Sequence, residues 1–479
     1  MTTTVPTTGA APSTTTPKQA STAKLDAPAL VARLRAGFAS GRTRPIDWRR
    51  AQLKALRTLL TERESELLDA LAADLGKPRL EAWATDIGFV INEIDYFLKH
   101  LRRWTKPARV RTPLATKPSK ARVVREPLGL VLIIAPWNYP VQLSLSPLVG
   151  AIAAGNVTVL KPSEVAPATS AVLARLVPEY LDPDAVAVVE GAVPETQALL
   201  AQRWDHILYT GNGRVGRVVM EAAAPHLTPV TLELGGKSPA IIDASANLEV
   251  AARRIAWGKF LNAGQTCIAP DYVLVARGLE DRFVELVRRC VFDFYGQDPK
   301  ASPDFARVVN GAHFDRLVGL LDSGTPAVGG EHDAATRYIA PTVLRDVTPE
   351  SPVMQEEIFG PILPVLPIAD AEEAVAFVNG REKPLALYVF AKDASVVRTV
   401  LEGTSSGGAC VNATLFHVAV TELPFGGVGE SGMGAYHGKA SFDVFSHAKS
   451  VLKRATRPDP ALAYPPYTER KEKLTRRFL

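Results

Sequence analysis

From Leu128 onward, short apolar runs alternate regularly with stretches of helical periodicity. Runs with the length and composition of buried strands occupy residues 128–135, 156–160, 185–189, 205–209 and 229–234. Helical stretches fill the intervals, at about 142–154, 167–180, 194–202 and 213–224. Strands that alternate with helices form βαβ units, whose parallel sheet is covered by helices on both faces. A second alternation runs from about 247 to 411, so the sequence predicts an α/β fold.

The region before this alternation is helical in pattern. Periodicity begins near Asp26 and ends at Gly41, and a second helical stretch follows Asp47. Thr61 and Glu64 have the spacing of a capping box, which predicts that a further helix opens at this point. Helical periodicity then continues through residues 82–101, so we expect helices to precede the first strand of the sheet.

Composition excludes several classes of protein. The chain has 479 residues, enough for about three structural units. Its three cysteines are far apart in sequence and odd in number, so we expect no disulfide framework and a reducing compartment, the cytoplasm. No Cys or His pair has the spacing of a zinc site, and we therefore predict no bound metal.

Charge and hydropathy point to a protein without nucleic-acid or membrane partners. The net charge of +5 is concentrated in residues 102–125 and in the tail after residue 469, where no nucleic-acid recognition module is found. We interpret both segments as solvated surface. The best apolar run, residues 128–136, is much shorter than the roughly 18 residues of a membrane span. Residues 1–24 are rich in threonine and lack a signal-peptide pattern, which predicts a disordered tail.

Polar or glycine-rich clusters follow four of the predicted strands. They are Pro136-Trp137-Asn138-Tyr139-Pro140, Lys161-Pro162-Ser163-Glu164, Gly211-Asn212-Gly213-Arg214-Val215-Gly216 and Glu233-Leu234-Gly235-Gly236-Lys237. Open parallel sheets bind their ligands at the carboxyl ends of the strands. Four such clusters in one βαβ series therefore predict a ligand site at this edge of the sheet.

The cluster at residues 211–216 has the G-x-G-x-x-G spacing of a dinucleotide-binding turn, although a simple tight turn looks the same in sequence. A binding turn would direct backbone N–H groups and a helix N-terminus toward a pyrophosphate. Its usual offset would make Glu233 the ribose ligand. The motif follows the fourth predicted strand, however, whereas the fingerprint belongs to the first βα turn. Lys161 and Glu164 are therefore better placed to hold a ribose.

Cys267 lies in a polar, glycine-containing loop, Asn262-Ala263-Gly264-Gln265-Thr266-Cys267-Ile268-Ala269-Pro270. A thiol in such a loop can be exposed and ionised, whereas a buried thiol is inert. Most lone cysteines are small core residues, and we interpret Cys290 and Cys410 in this way. The local pattern alone leaves both interpretations of Cys267 open.

Taken together, the motifs resemble those of the aldehyde dehydrogenase superfamily in order and spacing from about residue 25 to 455. The resemblance runs through residues 135–138, 161–164, 232–239, 264–267, 357–361 and 424–429. Residues 135–140, 267–272 and 431–438 look most like the class 3 branch, some members of which carry a C-terminal membrane anchor. This chain has a basic, proline-containing tail instead, so the resemblance implies a soluble enzyme.

The resemblance implies the three-layer α/β architecture of that family. A Rossmann-like cofactor-binding domain would span residues 25–231, a catalytic α/β domain residues 232–411, and an oligomerisation arm with the C-terminal loop residues 412–455. A hairpin near residues 106–123 would belong to the arm, and residues 456–479 would form the basic tail. Members of the branch are usually dimeric, so we expect a homodimer.

The resemblance also implies a mechanism. The Cys267 thiolate would attack the aldehyde carbon, while the Asn138 amide and the Cys267 backbone N–H stabilise the charge on oxygen. Hydride would pass to the nicotinamide, and Glu233 would activate the water that hydrolyses the thioester. The expected cofactor is NAD, with NADP as a second acceptor.

The cofactor contacts are carried over residue by residue. Lys161 and Glu164 would bind the adenosine ribose, Glu357 would hold the nicotinamide ribose, and Phe359 would position the nicotinamide ring. The other expected contacts are Trp137, Gly211, Asn212, Gly213, Arg214, Val215 and Gly216. The cofactor helix of this family does not follow the usual dinucleotide pattern, so Gly213 need not belong to the motif.

Two other functions stay open at this stage. A catalytically silent scaffold or binding protein would have lost Cys267, Glu233 or Asn138, and all three are present. In a coenzyme-A-acylating dehydrogenase, coenzyme A rather than water takes the acyl group, and such enzymes often lack the base. The presence of Glu233 therefore favours hydrolysis. The sequence does not name the aldehyde, although the branch favours medium-chain aliphatic and aromatic ones.

Overall fold

The computed structural model describes residues 25–459 and 461–478, and the predicted tail at residues 1–24 lies outside them. The segment Trp83–Ile87 is π-helical. The α-helices of the described residues are α1 (Ala27–Ala39), α2 (Ile46–Glu62), α3 (Glu64–Leu75), α4 (Arg79–Ala82), α5 (Gly88–Trp104), α6 (Pro140–Ala154), α7 (Pro167–Tyr180), α8 (Val193–Leu200), α9 (Gly213–Ala223), α10 (Leu248–Phe260), α11 (Glu280–Tyr295), α12 (Gly311–Leu321), α13 (Ala371–Asn379), α14 (Ala394–Gly403), α15 (Gly438–Val444) and α16 (Glu469–Phe478).

The strands fall into a six-stranded, a seven-stranded and a three-stranded sheet, together with a short two-stranded ribbon. Their bounds are β1 (Ala108–Val110), β2 (Ser119–Pro127), β3 (Leu130–Ile134), β4 (Val157–Lys161), β5 (Val186–Val188), β6 (His206–Thr210), β7 (Val230–Glu233), β8 (Pro239–Ile242), β9 (Tyr272–Ala276), β10 (Thr325–Val328), β11 (His332–Asp333), β12 (Tyr338–Ile339), β13 (Thr342–Arg345), β14 (Ile362–Ile368), β15 (Ala386–Phe390), β16 (Gly408–Val411), β17 (Gly432–Met433) and β18 (Ser446–Arg454).

The six-stranded sheet contains all five strands that the first alternation predicts. Its order is β17-β7-β6-β3-β4-β5, and every pair is parallel except β17 with β7. Every residue of β3, β4 and β6 is buried, because helices cover both faces of the sheet. The predicted α/β fold is confirmed.

The seven-stranded sheet is built by the second alternation, in the order β10-β13-β14-β9-β8-β15-β16. Only β10 runs antiparallel to its neighbour in this sheet. The chain passes from one sheet to the other at residues 234–238, between the end of β7 and the start of β8. This passage lies a few residues after the predicted boundary at 231/232.

A three-stranded antiparallel sheet stands apart from the two larger ones, in the order β1-β2-β18. β2 pairs with β18 over nine residues, from Pro127 opposite Ser446 to Ser119 opposite Arg454. The predicted hairpin near residues 106–123 therefore meets the chain that follows residue 412. Within the described residues, no helix combines the length and apolar character needed to cross a membrane.

One predicted local feature is wrong. The helix α2 continues through Thr61 to Glu62, and α3 opens at Glu64 without a side-chain cap. The Thr61 hydroxyl donates instead to the Arg57 and Thr58 carbonyls, at 3.2 and 3.0 Å. A threonine inside a helix can satisfy its hydroxyl on the preceding turn, so the capping spacing was coincidental.

A buried ion pair fixes the helix that supports the site. Every residue of α6 is buried, and its N-terminus follows the cluster at residues 136–140. The Asp86 carboxylate accepts hydrogen bonds from the Val141 and Gln142 backbone N–H groups, at 3.1 and 3.2 Å. Its other oxygen lies 2.8 Å from Lys77 Nζ, and both side chains are fully buried. Asp86 therefore satisfies N–H groups of the first turn that have no partner within the helix.

We predict that Asp86→Ala lowers the free energy of unfolding by about 3–5 kcal/mol, because removal of one partner leaves the Lys77 charge buried and unpaired. Urea unfolding followed by circular dichroism measures the change. The control is Asp69→Ala, whose pair with Arg79 is exposed and contributes about 1 kcal/mol or less. Equal losses in the two variants would contradict this role of the buried pair.

Candidate active site

The predicted clusters meet at one edge of the six-stranded sheet, because β4, β3, β6 and β7 are parallel neighbours there. The backbone N–H of Ala135 donates to the Lys161 carbonyl at 3.0 Å. The N–H of Gly211 donates to the Glu233 carbonyl at 2.9 Å. The structure thus joins the cluster at 136–140 to that at 161–164, and the turn at 211–216 to Glu233.

The turn that carries Cys267 is held in an unusual backbone conformation. Asn262 and Ala263 have φ of +51° and +52°, and Gly264 has φ of +75°. A Cβ atom on Gly264 would lie 2.2 Å from the Gly360 carbonyl oxygen, so only glycine fits at this position. Residues with positive φ persist only where their surroundings fix them, and they concentrate at functional sites.

Side chains on both sides of this turn hold it in place. Glu81 accepts a hydrogen bond from the Asn262 backbone N–H at 2.9 Å. The Gln265 amide donates to the Asn262 and Arg307 carbonyls and accepts from the Val309 N–H, all within 3.0 Å. Cys267 therefore follows a segment whose polar groups are satisfied by the protein itself.

Asn138 is connected directly to the same turn. Its side-chain Nδ2 donates to the Gln265 carbonyl at 3.0 Å. Its backbone carbonyl accepts from Lys77 Nζ at 3.1 Å and from Asn262 Nδ2 at 2.8 Å. An amide nitrogen carries two hydrogens, so one N–H of Asn138 remains available to a ligand. The structure thus brings together two of the predicted catalytic residues, Asn138 and Cys267.

Glu233, at the end of β7, is 1% exposed. Neither of its carboxyl oxygens has a hydrogen-bond partner among the residues that the structure describes. Burial raises the pKa of this carboxyl well above its usual range. Buried acids without partners are costly and concentrate at functional sites.

Cys267 is half-buried, and its thiol is close enough to two acids to be affected by them. Burial raises the pKa of the thiol, and the Glu357 and Glu233 carboxyls raise it further. The resting thiol is therefore protonated at neutral pH. Cys267, Glu233 and Glu357, which are far apart in sequence, form one cluster of desolvated acids.

Glu357 lies against the passage between the sheets, beside Gly235. A Cβ atom on Gly235 would lie 1.9 Å from its carboxyl oxygen, so this glycine makes room for the acid. Burial raises the pKa of Glu357 to about 8, with Asp271 adding to the effect. Phe359, two residues later, has φ of +51°. Its ring packs edge-on against Trp137, with centroids 5.3 Å apart.

A cavity of about 170 Å³ lies beside Cys267. Its walls are mostly aliphatic or aromatic and include Leu143, Ile268, Leu415 and Phe425. Among its polar groups, the Tyr139 and Thr266 hydroxyls satisfy one another at 2.6 Å. The cavity suits the apolar body of a substrate whose reacting carbon meets the Cys267 thiol.

The other predicted cofactor residues lie at the clusters after β4 and β6. Lys161 is buried, and its Nζ lies 2.7 Å from the carboxylate of Glu164, whose side chain is 44% exposed. Burial raises the pKa of Tyr209 to about 12, and both Arg214 and Glu164 are near enough to influence it. The pair at 161–164 and the turn at 211–216 therefore converge on Tyr209.

The glycines of this turn differ in how tightly they are constrained. A Cβ atom on Gly211 would lie 2.2 Å from the Tyr209 hydroxyl, and one on Gly216 would lie 3.0 Å from Leu234. A Cβ atom on Gly213 would meet only the flexible end of Arg217, at 3.1 Å. Asn212 caps α9 by accepting from the Val215 N–H at 3.0 Å. Packing thus explains why residues 211 and 216 are glycine, whereas no steric requirement for glycine is found at residue 213.

Several residues that shape the site lie outside the predicted set. Asp271 pairs with Lys237 and accepts from the Ile358 backbone N–H at 2.8 Å. Arg316 donates to the Glu357 and Ile358 carbonyls, at 3.4 and 2.6 Å. Lys237 belongs to one of the predicted clusters, so the sequence could have indicated it as a site residue. Arg316 lies on α12 and belongs to no motif, so the sequence could not. These contacts attach the segment around Glu357 to the passage between the sheets.

Comparison with known proteins identifies the family. The family described as "Aldehyde dehydrogenase family" matches residues 2–451. Aldehyde dehydrogenase family 3 member A2 from Mus musculus is 53% identical over 451 residues, which cover 94% of this chain and 93% of that protein. The dimeric NADP-preferring aldehyde dehydrogenase from Canis lupus familiaris is 50% identical over 439 residues, which cover 91% and 97%.

A solved structure agrees with these relatives. The substrate-bound AldH from Staphylococcus aureus is 45% identical, has a TM-score of 0.93, and covers 95% of this chain and 100% of its own. The similarity extends over both large sheets and the arm, because it includes nearly the whole chain. The resemblance drawn from the motifs is therefore confirmed. The chain belongs to the aldehyde dehydrogenase family, in its class 3 branch, and is an NAD(P)-dependent aldehyde dehydrogenase.

Proposed function

We propose that Cys267 forms an acyl-thioester with the aldehyde substrate and that Glu233 is the base for its hydrolysis. The observation that carries the proposal is the cluster of Cys267, Glu233 and Asn138 beside an apolar cavity. Of the other cysteines, Cys290 lies within α11 and Cys410 within β16. The Cys410 thiol lies 3.1 Å from Nδ1 of His417, whereas the Cys267 thiol lies near Glu233 and Glu357 and lines the apolar cavity.

Acylation begins when the Cys267 thiol gives its proton to a water molecule and the resulting thiolate attacks the carbonyl carbon. Negative charge then develops on the former carbonyl oxygen. The free N–H of Asn138 and the backbone N–H of Cys267 are the donors proposed to stabilise that charge. Loss of one such donor costs about 10²–10³ in rate in other acyl-transfer enzymes. The side-chain amide is already oriented in the resting protein, because its Nδ2 donates to the Gln265 carbonyl while Lys77 and Asn262 hold the Asn138 backbone carbonyl.

The residues present fit a nicotinamide dinucleotide, which takes up the hydride released from the adduct when it is bound. Glu164 exposes an acceptor carboxylate above the buried Lys161, as a ribose requires. The N-terminus of α9 follows the open backbone at Gly213, as a pyrophosphate requires. Glu357 and Phe359 lie across the passage from Glu233, where they would hold the nicotinamide end.

Deacylation requires a base that can remove a proton from water. Glu233 is near the Cys267 thiol and has no competing hydrogen-bond partner in the described part of the chain. Once ionised, a carboxylate with a raised pKa is a strong base, and general-base catalysis contributes typically about 10²–10⁴ in rate. The water oxygen bonds to the acyl carbon, Glu233 takes its proton, and the Cys267 thiolate leaves.

The two alternative functions, a catalytically silent scaffold and a coenzyme-A-acylating dehydrogenase, are not favoured. A silent scaffold would not explain two desolvated carboxyl groups beside one desolvated thiol, since such groups lower stability. In a coenzyme-A-acylating enzyme, Glu233 would have no water to activate. Measurement of NAD(P)H formation with and without coenzyme A separates the three functions.

We also propose a cytoplasmic homodimer. The free thiols of all three cysteines support a reducing compartment. The three-stranded sheet exposes Val110 and Leu452 on its surface, which supports its use as the oligomerisation arm. The dog relative is named as dimeric and NADP-preferring, and it supports both the assembly and the second cofactor.

We predict that Cys267→Ala abolishes aldehyde oxidation and leaves cofactor binding intact, because the thiol forms the covalent bond. Steady-state assays measure turnover, and quenching of tryptophan fluorescence measures NAD binding. The control is Cys290→Ala, which removes a thiol from a helix outside the site. Near-normal turnover of Cys267→Ala would refute the assignment of the nucleophile.

Glu233→Gln is expected to slow deacylation more than acylation, because an amide cannot accept a proton from water. Rapid mixing with aldehyde and NAD should give a burst of NADH followed by turnover at least about 10²-fold slower than that of the wild type. The control is Glu249→Gln, which makes the same change on the exposed side of α10. An unchanged steady-state rate would contradict the role of Glu233 as the base and would favour its interpretation as a ribose ligand.

Glu164→Gln is expected to shift cofactor preference toward NADP and to weaken NAD. A carboxylate repels a 2′-phosphate, whereas Lys161 and Arg214 offer compensating positive charge near Tyr209. The measurement is kcat/KM for both cofactors in the wild type, in Glu164→Gln and in the control Glu221→Gln, which changes an exposed residue of α9. A ratio that does not move would place the adenosine ribose elsewhere.

A further inference from the structure

A side-chain amide in the cavity beside Cys267 has unused hydrogen-bonding groups. Gln142 lies in the first turn of α6, lines this cavity and is 7% exposed. Its backbone N–H donates to Asp86 at 3.2 Å, but its side-chain amide makes no hydrogen bond with the residues that the structure describes. A buried amide without a partner is destabilising, so its presence in a mostly apolar wall requires an explanation.

The hydroxyl groups of the cavity wall are already satisfied or enclosed. Those of Tyr139 and Thr266 bond to one another at 2.6 Å. The Thr85 hydroxyl donates to the Glu81 carbonyl at 2.8 Å. The Tyr436 hydroxyl has no partner among the described residues, but the protein encloses it, so a ligand in the cavity does not reach it. In the interior of the cavity, the amide is therefore the polar group that remains open to the body of a ligand.

The position of Gln142 on α6 separates it from the residues next to the reacting thiol. Tyr139, just before α6, contacts Thr266, the residue that precedes Cys267. Gln142 follows Tyr139 by three residues, a rise of about 5 Å along the helix axis. Leu143, beside Gln142, lines the cavity as well. This position suits contact with the body of a bound substrate rather than with its reacting carbonyl.

The charge of the cavity wall limits which substituents the amide can recognise. No lysine, arginine, aspartate or glutamate is found among the described residues that line the cavity. A carboxylate or an ammonium group on the substrate would therefore lose its hydration without gaining a counter-charge. An amide offers both a donor and an acceptor, and a hydroxyl group matches both while it stays uncharged. The wall therefore favours a hydroxyl group over a charged substituent.

We propose that the cavity takes aldehydes whose apolar body carries an uncharged hydroxyl group, and that Gln142 determines this preference by hydrogen bonding to that hydroxyl. The amide oxygen accepts the substrate O–H, or the amide N–H donates to the hydroxyl oxygen. The inference deepens the proposed function and rests on it, because the aldehyde must enter the cavity beside Cys267 in order to react. It adds the class of substrate and the residue that selects this class.

The preference arises mainly from a penalty on apolar substrates. An aldehyde with a purely apolar body displaces water from the Gln142 amide and leaves the amide without a partner. A hydroxyl-bearing aldehyde of the same shape replaces that water with a hydrogen bond. Sites that bond a substrate hydroxyl reject the analogue that lacks it, because the polar group of the site is left unpaired. Since one neutral amide is involved, we expect discrimination of about tenfold in kcat/KM.

The test compares aldehydes of the same shape, 4-(hydroxymethyl)benzaldehyde with 4-ethylbenzaldehyde, together with the corresponding 3-substituted pair. The measured quantity is the ratio of kcat/KM for the hydroxymethyl aldehyde to that for its ethyl partner. We expect the wild type to favour the hydroxymethyl member of at least one pair about tenfold. Gln142→Leu, which replaces the amide by an apolar side chain of similar volume, should lower that ratio to about one or less. Gln142→Met gives the same test with an unbranched side chain, should Gln142→Leu not fold.

Two controls should keep the wild-type ratio. Gln197→Leu makes the same change at an exposed residue of α8, and Thr85→Val removes from the cavity wall a hydroxyl that the Glu81 carbonyl already satisfies. Because the ratio compares two substrates in one protein, a partial loss of folded enzyme cancels. A wild type without preference in either pair would overturn the inference. So would Gln142 variants that keep the wild-type ratio, or a ratio that falls in Thr85→Val instead.

Cys267→Ala, assayed with the same aldehydes, separates this inference from the proposed function. If Cys267→Ala oxidises both members of a pair, the proposed function itself is wrong. If Cys267→Ala is inactive while Gln142→Leu slows both members equally, the aldehyde reacts at Cys267 and Gln142 does not select its body. That result would overturn the inference and leave the proposed function intact.

Discussion

Removal of water from the Glu233 carboxyl underlies the chemistry of this protein. Glu233 ends a strand of one sheet just before the chain passes to the other, so two packed layers enclose it. Burial raises the pKa values of the Glu233 carboxyl, the Cys267 thiol and the Glu357 carboxyl, and so disfavours their charged forms. Charge that develops in such surroundings interacts more strongly with its neighbours than it would in water.

The rest of the fold holds this cluster of desolvated groups in position. The buried pair of Lys77 and Asp86 holds both the start of α6 and the Asn138 carbonyl. Asn138 in turn holds the turn before Cys267 through Gln265. The proposed oxyanion donor and the turn that carries the proposed nucleophile are therefore positioned by one continuous hydrogen-bond network, which reaches from the N-terminal helices to the turn after α10.

Sequence reasoning predicted those parts of the site that arise from local patterns. Alternating apolar runs predicted the strands, and a strand end necessarily presents its following cluster at the edge of a parallel sheet. Contacts between distant segments gave no such signal, as Arg316 on α12 and Glu81 on α4 show. The predicted capping box failed for the opposite reason, because a local spacing was overridden when α2 continued through Thr61.

The acyl-enzyme itself can be observed. Glu233→Gln is mixed with aldehyde and NAD, quenched in acid after one turnover and digested, and the peptides are weighed by mass spectrometry. The account predicts that the peptide with Cys267 gains the mass of the acyl group and that those with Cys290 and Cys410 do not. An unmodified Cys267 peptide after NADH has formed, or an acyl group on either other cysteine, would contradict it.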